Sequence, residues 1–208
     1  MRVTALLLFF ICINAQSFAQ GAADDDANRI IKSPDDLGRQ IYHAIQNDRY
    51  DQAKSASALM LSQKDMKQIG HDLIKTIKQR IKAGAYEDPA DGQAIIQGIK
   101  GTFLNEQEIK KQFAKLEQEE KKFKESFIKM KATAKNLGFD WLKTKYLRTD
   151  SSSIKPDKHV PLPVGDLYVH FMAKKREYRI KLPNCANPPN LGWLMDSDPL
   201  SLEPLNKK

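Results

Sequence analysis

The sequence predicts an α+β fold in which N-terminal helices pack on a C-terminal antiparallel sheet of three or more strands. Two observations favour this class. Apolar residues recur at helical spacing over residues 33–138, and over residues 139–196 they alternate with polar residues at strand spacing. Helices that precede the strands, instead of alternating with them, favour helices gathered on one face of the sheet. We therefore expect one domain over residues 33–208, with a helical part followed by a sheet part.

The chain begins with the pattern of a secretory signal peptide. An apolar run over residues 3–13 follows a basic start, and the small residues Ser17 and Ala19 precede the predicted cleavage site. The run is shorter than the ~20 apolar residues of a membrane-spanning helix, and no later stretch reaches that length. We therefore expect removal of residues 1–19, a disordered tether over 20–32, no transmembrane segment in the mature chain, and export to a periplasm or the cell exterior.

The net charge indicates which partners the protein could bind, and the cysteine content limits the roles that Cys185 could have. Lysine and arginine total 34 against 26 acidic residues, a formal net charge of +8. This excess favours anionic partners such as phosphate, nucleic acid or a membrane surface, although lysines alternating with glutamates are also typical of solvated helix faces. Cys12 lies in the predicted signal peptide, which leaves Cys185 alone in the mature chain. A buried thiol, an intermolecular bridge and a reactive group are the alternatives for Cys185.

The helices have recognisable starts. Ser33 is a good N-cap and is followed by Pro34, which suits the first helical position. A second short helix is predicted around residues 50–61. Asp65 is predicted to cap a third helix, and a short helical piece is expected over residues 94–100.

The longest predicted element is one amphipathic helix over about residues 105–137. Five apolar residues recur there every seven positions, a period that suits a seam between two helices or a coiled coil, through which a homodimer could form. An ordinary amphipathic helix packed on the core has the same pattern, and a break near residues 117–120 is a further alternative. The five residues are Ile109, Leu116, Phe123, Met130 and Leu137.

The clearest strand signal is a hairpin formed by residues 166–172 and 177–182. Pairing residues whose numbers sum to 349 brings three apolar pairs onto one face, as a half-buried sheet requires. Those pairs are Phe171–Tyr178, Val169–Ile180 and Leu167–Leu182. Further strands are expected over residues 141–149 and 191–195, and an irregular tail over 196–208.

Motifs of fixed spacing that bind nucleotides or metals, or that carry a catalytic nucleophile, are absent from the sequence. It has four histidines, and no two of them lie three or four residues apart, as helix-borne metal ligands do. They are His43, His71, His159 and His170. We therefore predict no metal site and no cofactor.

The candidate site residues lie on the polar side of the predicted hairpin. His170 faces away from the apolar side, together with Asp166 and Tyr168, and Arg179 is predicted directly opposite His170. If this face lines a pocket, Asp166 or His170 could act as a base, and Tyr146, Tyr168, His170 and Arg179 could bind a ligand. The alternative is a solvent-facing side of the sheet. The basic residues 174–176 at the hairpin tip could contact phosphate, or form a solvated turn.

Several segments resemble small exported bacterial proteins of the NTF2-like, or cystatin-like, α+β superfamily. The resemblance rests on the opening helices at residues 33–55, Phe139-Asp140-Trp141, the two hairpin strands, and Gly192-Trp193-Leu194. It implies helices packed into a curved antiparallel sheet, an architecture that hosts both isomerase-like enzymes and binding modules. In the enzymes an Asp or His base sits in an aromatic-lined cone, and only Asp166 or His170 could take that role in this chain.

Three functional hypotheses follow from the sequence. The first is an exported, non-enzymatic module that binds a small apolar or anionic ligand or a partner protein. The second is a small enzyme that uses Asp166 or His170 as its base. The third is an envelope protein that self-associates through the seven-residue row over residues 109–137.

Overall fold

A computed structural model describes residues 30–156 and 162–205 of the chain. The predicted signal peptide and most of the predicted tether lie outside the described residues. Within them, no helix combines the length and the apolar character that crossing a membrane requires.

The helices occupy the N-terminal part and the strands the C-terminal part, which confirms the α+β prediction. The α-helices are α1 (Pro34–Gln46), α2 (Tyr50–Ser55), α3 (Gln63–Lys82), α4 (Pro89–Ile99), α5 (Glu106–Ala114) and α6 (Leu116–Asn136). The strands are β1 (Lys145–Asp150), β2 (Lys155–Pro156), β3 (Pro163–Ala173), β4 (Arg176–Ala186) and β5 (Ser201–Pro204). They form one antiparallel sheet in the order β1-β3-β4-β5, and β2 pairs with the start of β3.

The hairpin of β3 and β4 has the predicted register. Phe171 pairs with Tyr178, and the predicted pairs at Val169–Ile180 and Leu167–Leu182 are also present. The connecting residues Lys174 and Lys175 have φ values of 46° and 63°. Two successive positive φ angles are the signature of a type I′ turn, whose twist matches that of the flanking strands.

The inner face of the sheet carries the apolar residues and packs on the helices. Phe171 lies at the centre, with its ring 4.9 Å from that of Trp141 and 5.9 Å from that of Tyr42 on α1. Helix α1 approaches β1 so closely that a Cβ atom on Gly38 would lie 2.1 Å from Thr149 Oγ1. Glycine at this position therefore permits the contact between α1 and the sheet.

The predicted long helix is wrong as a single element. Helices α5 and α6 are separate and meet at Lys115, where the Lys115 N–H donates to Gln112 O and the backbone tightens into a turn. The first four members of the seven-residue row are at most 3% exposed, and Leu137 is 37% exposed. The row therefore lies in the core of this chain, as in the amphipathic-helix alternative, and a seam between two copies would need those side chains at the surface.

Two helix starts differ from the prediction. Ser62, not Asp65, caps α3, and Asp65 closes a capping box with it. Helix α4 begins at Pro89 with Asp88 as its cap, five residues before the predicted start at residue 94. An Asp-Pro pair in a sequence is typical of a loop, but here Asp88 is the N-cap and Pro89 is the first helical residue.

The strand predictions at the two ends of the sheet part need correction. Residues 141–143 form a 3₁₀ turn, and β1 starts only at Lys145. Residues 191–195 form isolated bridges instead of a strand, whereas the predicted irregular tail contains β5. Ile31, which the prediction put in the tether, is buried, and its carbonyl accepts a hydrogen bond from Trp193 N.

Candidate functional site

The outer face of the sheet carries most of the predicted site residues, and we call it the polar sheet face. One row crosses all four main strands, because Arg148 pairs with His170, His170 with Arg179, and Arg179 with Glu203. Tyr168 lies in the next row, between Asp150 and Lys181. Residues that pair in register on one face lie about 5 Å apart, so this face concentrates charged side chains. Its members are Arg148, Asp166, Tyr168, His170, Glu177, Arg179, Lys181 and Glu203.

The His170 side chain lies on the outer face of the sheet, as predicted. It is nevertheless buried, with only 5% of its surface exposed. Its Nδ1 atom lies 2.8 Å from Glu177 Oε1, and an Arg148 nitrogen lies at the same distance from that oxygen. Arg148 Nη2, which only donates, lies 3.2 Å from the same Nδ1 atom, whereas the carboxylate of Glu177, which only accepts, lies closer. The shorter contact therefore assigns the proton to Nδ1, which donates it to Glu177. The hydrogen bond from His170, together with the charge of Arg148, lowers the pKa of Glu177.

The assignment at Nδ1 fixes the chemistry of the other ring nitrogen of His170. In the neutral ring, Nε2 is an acceptor, and it is buried without a hydrogen-bond partner among the described residues. An imidazole whose Nδ1–H is held by a carboxylate has the orientation of a general base. A base must also reach its substrate, and the burial of Nε2 blocks that approach here.

Asp166 lies beside a β-bulge in β4. Its Oδ1 accepts the backbone N–H of Asn184 at 3.0 Å, and its Oδ2 lies 2.7 Å from Lys181 Nζ. Asn184 has a positive φ of 47°, so the carboxylate holds an irregular backbone in position. Both oxygens of Asp166 therefore have structural partners.

Arg179 also has its charge neutralised. Its guanidinium lies 2.7 Å from a Glu203 oxygen and 4.4 Å from the centre of the Tyr168 ring. Tyr168, His170 and Arg179 are thus brought together, as predicted, but in a network in which the described charges have internal partners.

Tyr146 is separated from the other predicted ligand-binding residues. The pairing of β1 with β3 shifts between Tyr146 and Arg148, so Leu147 forms a bulge. Tyr146 consequently pairs with Phe171 on the inner face, where its hydroxyl donates to Asp35 and lies 2.7 Å from Thr149 Oγ1. Burial and the adjacent Asp35 raise the pKa of Tyr146 to about 12.

A second candidate site lies where the end of α6 meets the tip of the β3–β4 hairpin. A surface depression of about 310 Å³ is lined there by Lys135, Lys143 and Lys174. A second depression, of about 410 Å³, shares Lys135, Phe139 and Asp140 with the first and extends to Lys131 and the end of α1. We call the two together the lysine groove, and name its four lysines Lys131, Lys135, Lys143 and Lys174.

Local structure brings these lysines together from three segments. Lys131 and Lys135 lie near the C-terminus of α6, where cations are favoured by the helix dipole. Gly138, with a φ of 77°, reverses the chain after this helix and leads to the turn that carries Lys143. Lys174 folds over that glycine from the hairpin tip, with its Nζ 3.4 Å from the position of a Cβ atom there.

The lysine groove differs from the polar sheet face in its unpaired charges. Among the described residues, Lys135, Lys143 and Lys174 have no carboxylate oxygen within 4.0 Å, whereas Lys131 pairs with Asp48 at 2.5 Å. Asp140 also lines the groove, and one of its oxygens accepts the Leu142 N–H. Sequence reasoning found the hairpin tip but missed Lys135 and Lys143, although both flank the helix-ending Gly138.

The remaining titratable groups of note are buried. Cys185 is fully buried, and burial raises the pKa of its thiol, so of its three alternatives the buried thiol is the one observed. Burial also raises the pKa of Asp196 to about 7. Over residues 30–156 and 162–205, no group of three His, Cys, Asp or Glu side chains could hold a metal ion.

Comparison with known proteins adds no family assignment. No protein-family model, curated protein or solved structure matches this chain.

Proposed function

We propose that this protein is an exported, non-enzymatic binding module whose lysine groove holds a phosphate-bearing or similarly polyanionic ligand. The observation that carries the proposal is the convergence of Lys135, Lys143 and Lys174 on one depression without a carboxylate partner. Unpaired lysines at a concave surface attract anions, and the ammonium group is a common phosphate ligand in proteins.

The hairpin tip gives independent support. Lys174 and Lys175 both have positive φ angles, a conformation in which glycine or asparagine is strongly favoured. Side chains with a Cβ cost about 1 kcal/mol or more in this region. Strained residues concentrate at functional sites, and here one of the two strained lysines lines the groove.

The polar sheet face gives less support to an enzyme. Asp166 holds the bulge at Asn184, and the buried Nε2 of His170 is out of reach of a substrate. Neither depression of the lysine groove is lined by either residue. For these reasons the binding module is preferred to the enzyme hypothesis.

The test is a binding titration with fluorescently labelled inorganic polyphosphate, followed by anisotropy at several salt concentrations. A triple variant with Lys135→Gln, Lys143→Gln and Lys174→Gln should bind about a hundredfold more weakly, since each lysine near an anionic surface contributes on the order of 1 kcal/mol. The salt dependence of binding should also become shallower.

The matched control changes three lysines on α3, Lys75→Gln, Lys78→Gln and Lys82→Gln. These side chains are exposed and line neither depression, and the variant has the same net charge as the first. It should retain most of the wild-type affinity. Equal losses in the two variants would mean that binding follows net charge alone, and the proposal would fail.

A further inference from the structure

Two exposed leucines bracket residues 138–141, all of which line the lysine groove. Leu142 is 69% exposed and lines the second depression, and Leu137, at the end of α6, is 37% exposed. A single exposed apolar side chain needs no explanation, but these two flank the same short segment and have lysines on both sides in sequence.

Leu142 is held outward by a well-anchored turn. Its neighbour Trp141 is 5% exposed and packs against Phe171, and the Trp141 indole N–H donates to Met130 O at 3.3 Å. Asp140 caps the turn through the Leu142 N–H. Because Trp141 is fixed in the core, the next residue of the turn is presented to the surroundings in a defined position.

We propose that the lysine groove and these two leucines form a docking surface for an anionic phospholipid bilayer, an inference that rests on the proposed function. Lys135, Lys143 and Lys174 would contact lipid phosphates, while Leu137 and Leu142 enter the boundary between headgroups and acyl chains. A soluble polyanion would satisfy the lysines and leave both leucines in water. A bilayer surface accommodates both kinds of side chain, as it does for other interfacial segments with basic and apolar residues.

The experiment is co-sedimentation of the chain beginning at Gln20, which lacks the apolar run of residues 3–13 and retains all the described residues. The vesicles are phosphatidylcholine alone, or phosphatidylcholine mixed with phosphatidylglycerol. The wild-type chain should sediment with the mixed vesicles and stay in solution with phosphatidylcholine alone.

One variant and its control distinguish the contribution of the leucines from that of the lysines. A variant with Leu137→Ser and Leu142→Ser should partition about tenfold or more weakly onto the mixed vesicles, because the apolar contribution is lost. Its affinity for polyphosphate should fall far less than its partitioning onto vesicles, because Lys135, Lys143 and Lys174 are retained. Met60→Ser is the matched control, since Met60 is 56% exposed and lines neither depression. Circular dichroism and urea unfolding would verify that each variant is folded.

The outcomes distinguish the two proposals. Polyphosphate binding without sedimentation on phosphatidylglycerol vesicles would overturn the bilayer inference and leave the proposed function standing. Sedimentation that the leucine variant retains in full would also overturn it, because the lysines alone would then explain the attraction. Absence of both polyphosphate and vesicle binding would overturn both proposals.

Discussion

The polar sheet face and the lysine groove both gather charged side chains, but they differ in how those charges are balanced. On the sheet face, the Glu177 carboxylate pairs with both His170 and Arg148, and the Glu203 carboxylate pairs with Arg179. In the groove, three lysines converge with no described carboxylate close enough to pair. Charges that are satisfied internally have little left to offer a ligand, whereas unpaired charges at a concave surface remain available to one. The more elaborate network is therefore the less suitable binding site.

The carboxyl of Asp196 extends the comparison to a group that lies inside the protein without a cationic partner among the described residues. Of the substitutions considered, we expect the one at Asp196 to change the free energy of unfolding most. Its pKa is about 7 in the folded chain, against about 3.8 when unfolded. Between these values the folded state keeps a proton that the unfolded state loses, so stability falls as pH rises from about 4 to 7. Asp196→Asn should therefore be more stable than the wild type at pH 8, by as much as about 4 kcal/mol.

Urea unfolding of both chains at pH 4 and at pH 8 would measure this difference. The asparagine keeps an oxygen that can accept the Ser197 N–H, so the hydrogen bond seen in the wild type is retained. The advantage of the variant should be small at pH 4 and large at pH 8. An equal difference at the two values would show that the carboxyl ionises normally.

Asp166 tests whether the sheet face is a structural network. Asp166→Ala removes the acceptor for Asn184 N and the partner of Lys181, and should lower the free energy of unfolding by about 1–3 kcal/mol. Asp166→Asn retains an oxygen for the Asn184 N–H and should lose less. Polyphosphate affinity should be unchanged in both variants. A stable alanine variant with weakened binding would instead assign Asp166 to a ligand.

Glu177→Gln should have a moderate, pH-dependent effect on the same face. Its folded-state pKa is lowered, so the stabilisation is present above the unfolded pKa of about 4.5 and is lost as pH falls through the folded value. We expect the variant to be about 1 kcal/mol less stable at pH 7, with the difference shrinking in acid. Glu125→Gln, at an exposed glutamate without an ion pair among the described residues, is the control and should show no such trend in urea unfolding.

The smallest expected effect concerns the hairpin tip, where Lys175 has a φ of 63° but lines neither depression. Lys175→Gly should raise the free energy of unfolding by only about 0.5 kcal/mol, because the greater entropy of glycine in the unfolded chain offsets part of the relieved strain. Lys175→Ala keeps the strained Cβ and should give no gain. Thermal unfolding of the two variants measures the difference, and equal values would argue against strain at this turn.

The hairpin register could be predicted because two signals agreed. Alternating apolar residues fix the faces of β3 and β4, and the two-residue turn at 174–175 fixes which residues pair. The same reasoning failed for β5, because a strand of four residues with two prolines nearby has too little pattern to detect. It also failed for the single long helix, because a seven-residue period continues across a local turn such as that at Lys115.

The candidate site was only partly predictable, for a different reason. His170 and Arg179 are cross-strand neighbours, so their proximity follows from the register alone. The lysine groove combines residues from the end of α6, the turn after it and the hairpin tip. No spacing along the chain connects these segments, because tertiary packing brings them together. The burial of His170 was likewise hidden, since it depends on neighbours from two other strands.

The bulge at Leu147 has a consequence for how β1 tolerates changes in length. Tyr146 and Thr149 are three residues apart, and a regular strand would turn them to opposite faces, yet both point inward and hydrogen-bond to each other. Leu147 is the one extra residue in β1, and it shifts the alternation of faces so that Tyr146 and Thr149 lie on the same side. A chain that loses Leu147 keeps every other residue of β1 on its present face. If Arg148 were deleted instead, Leu147 would take its position on the outer face, paired with His170.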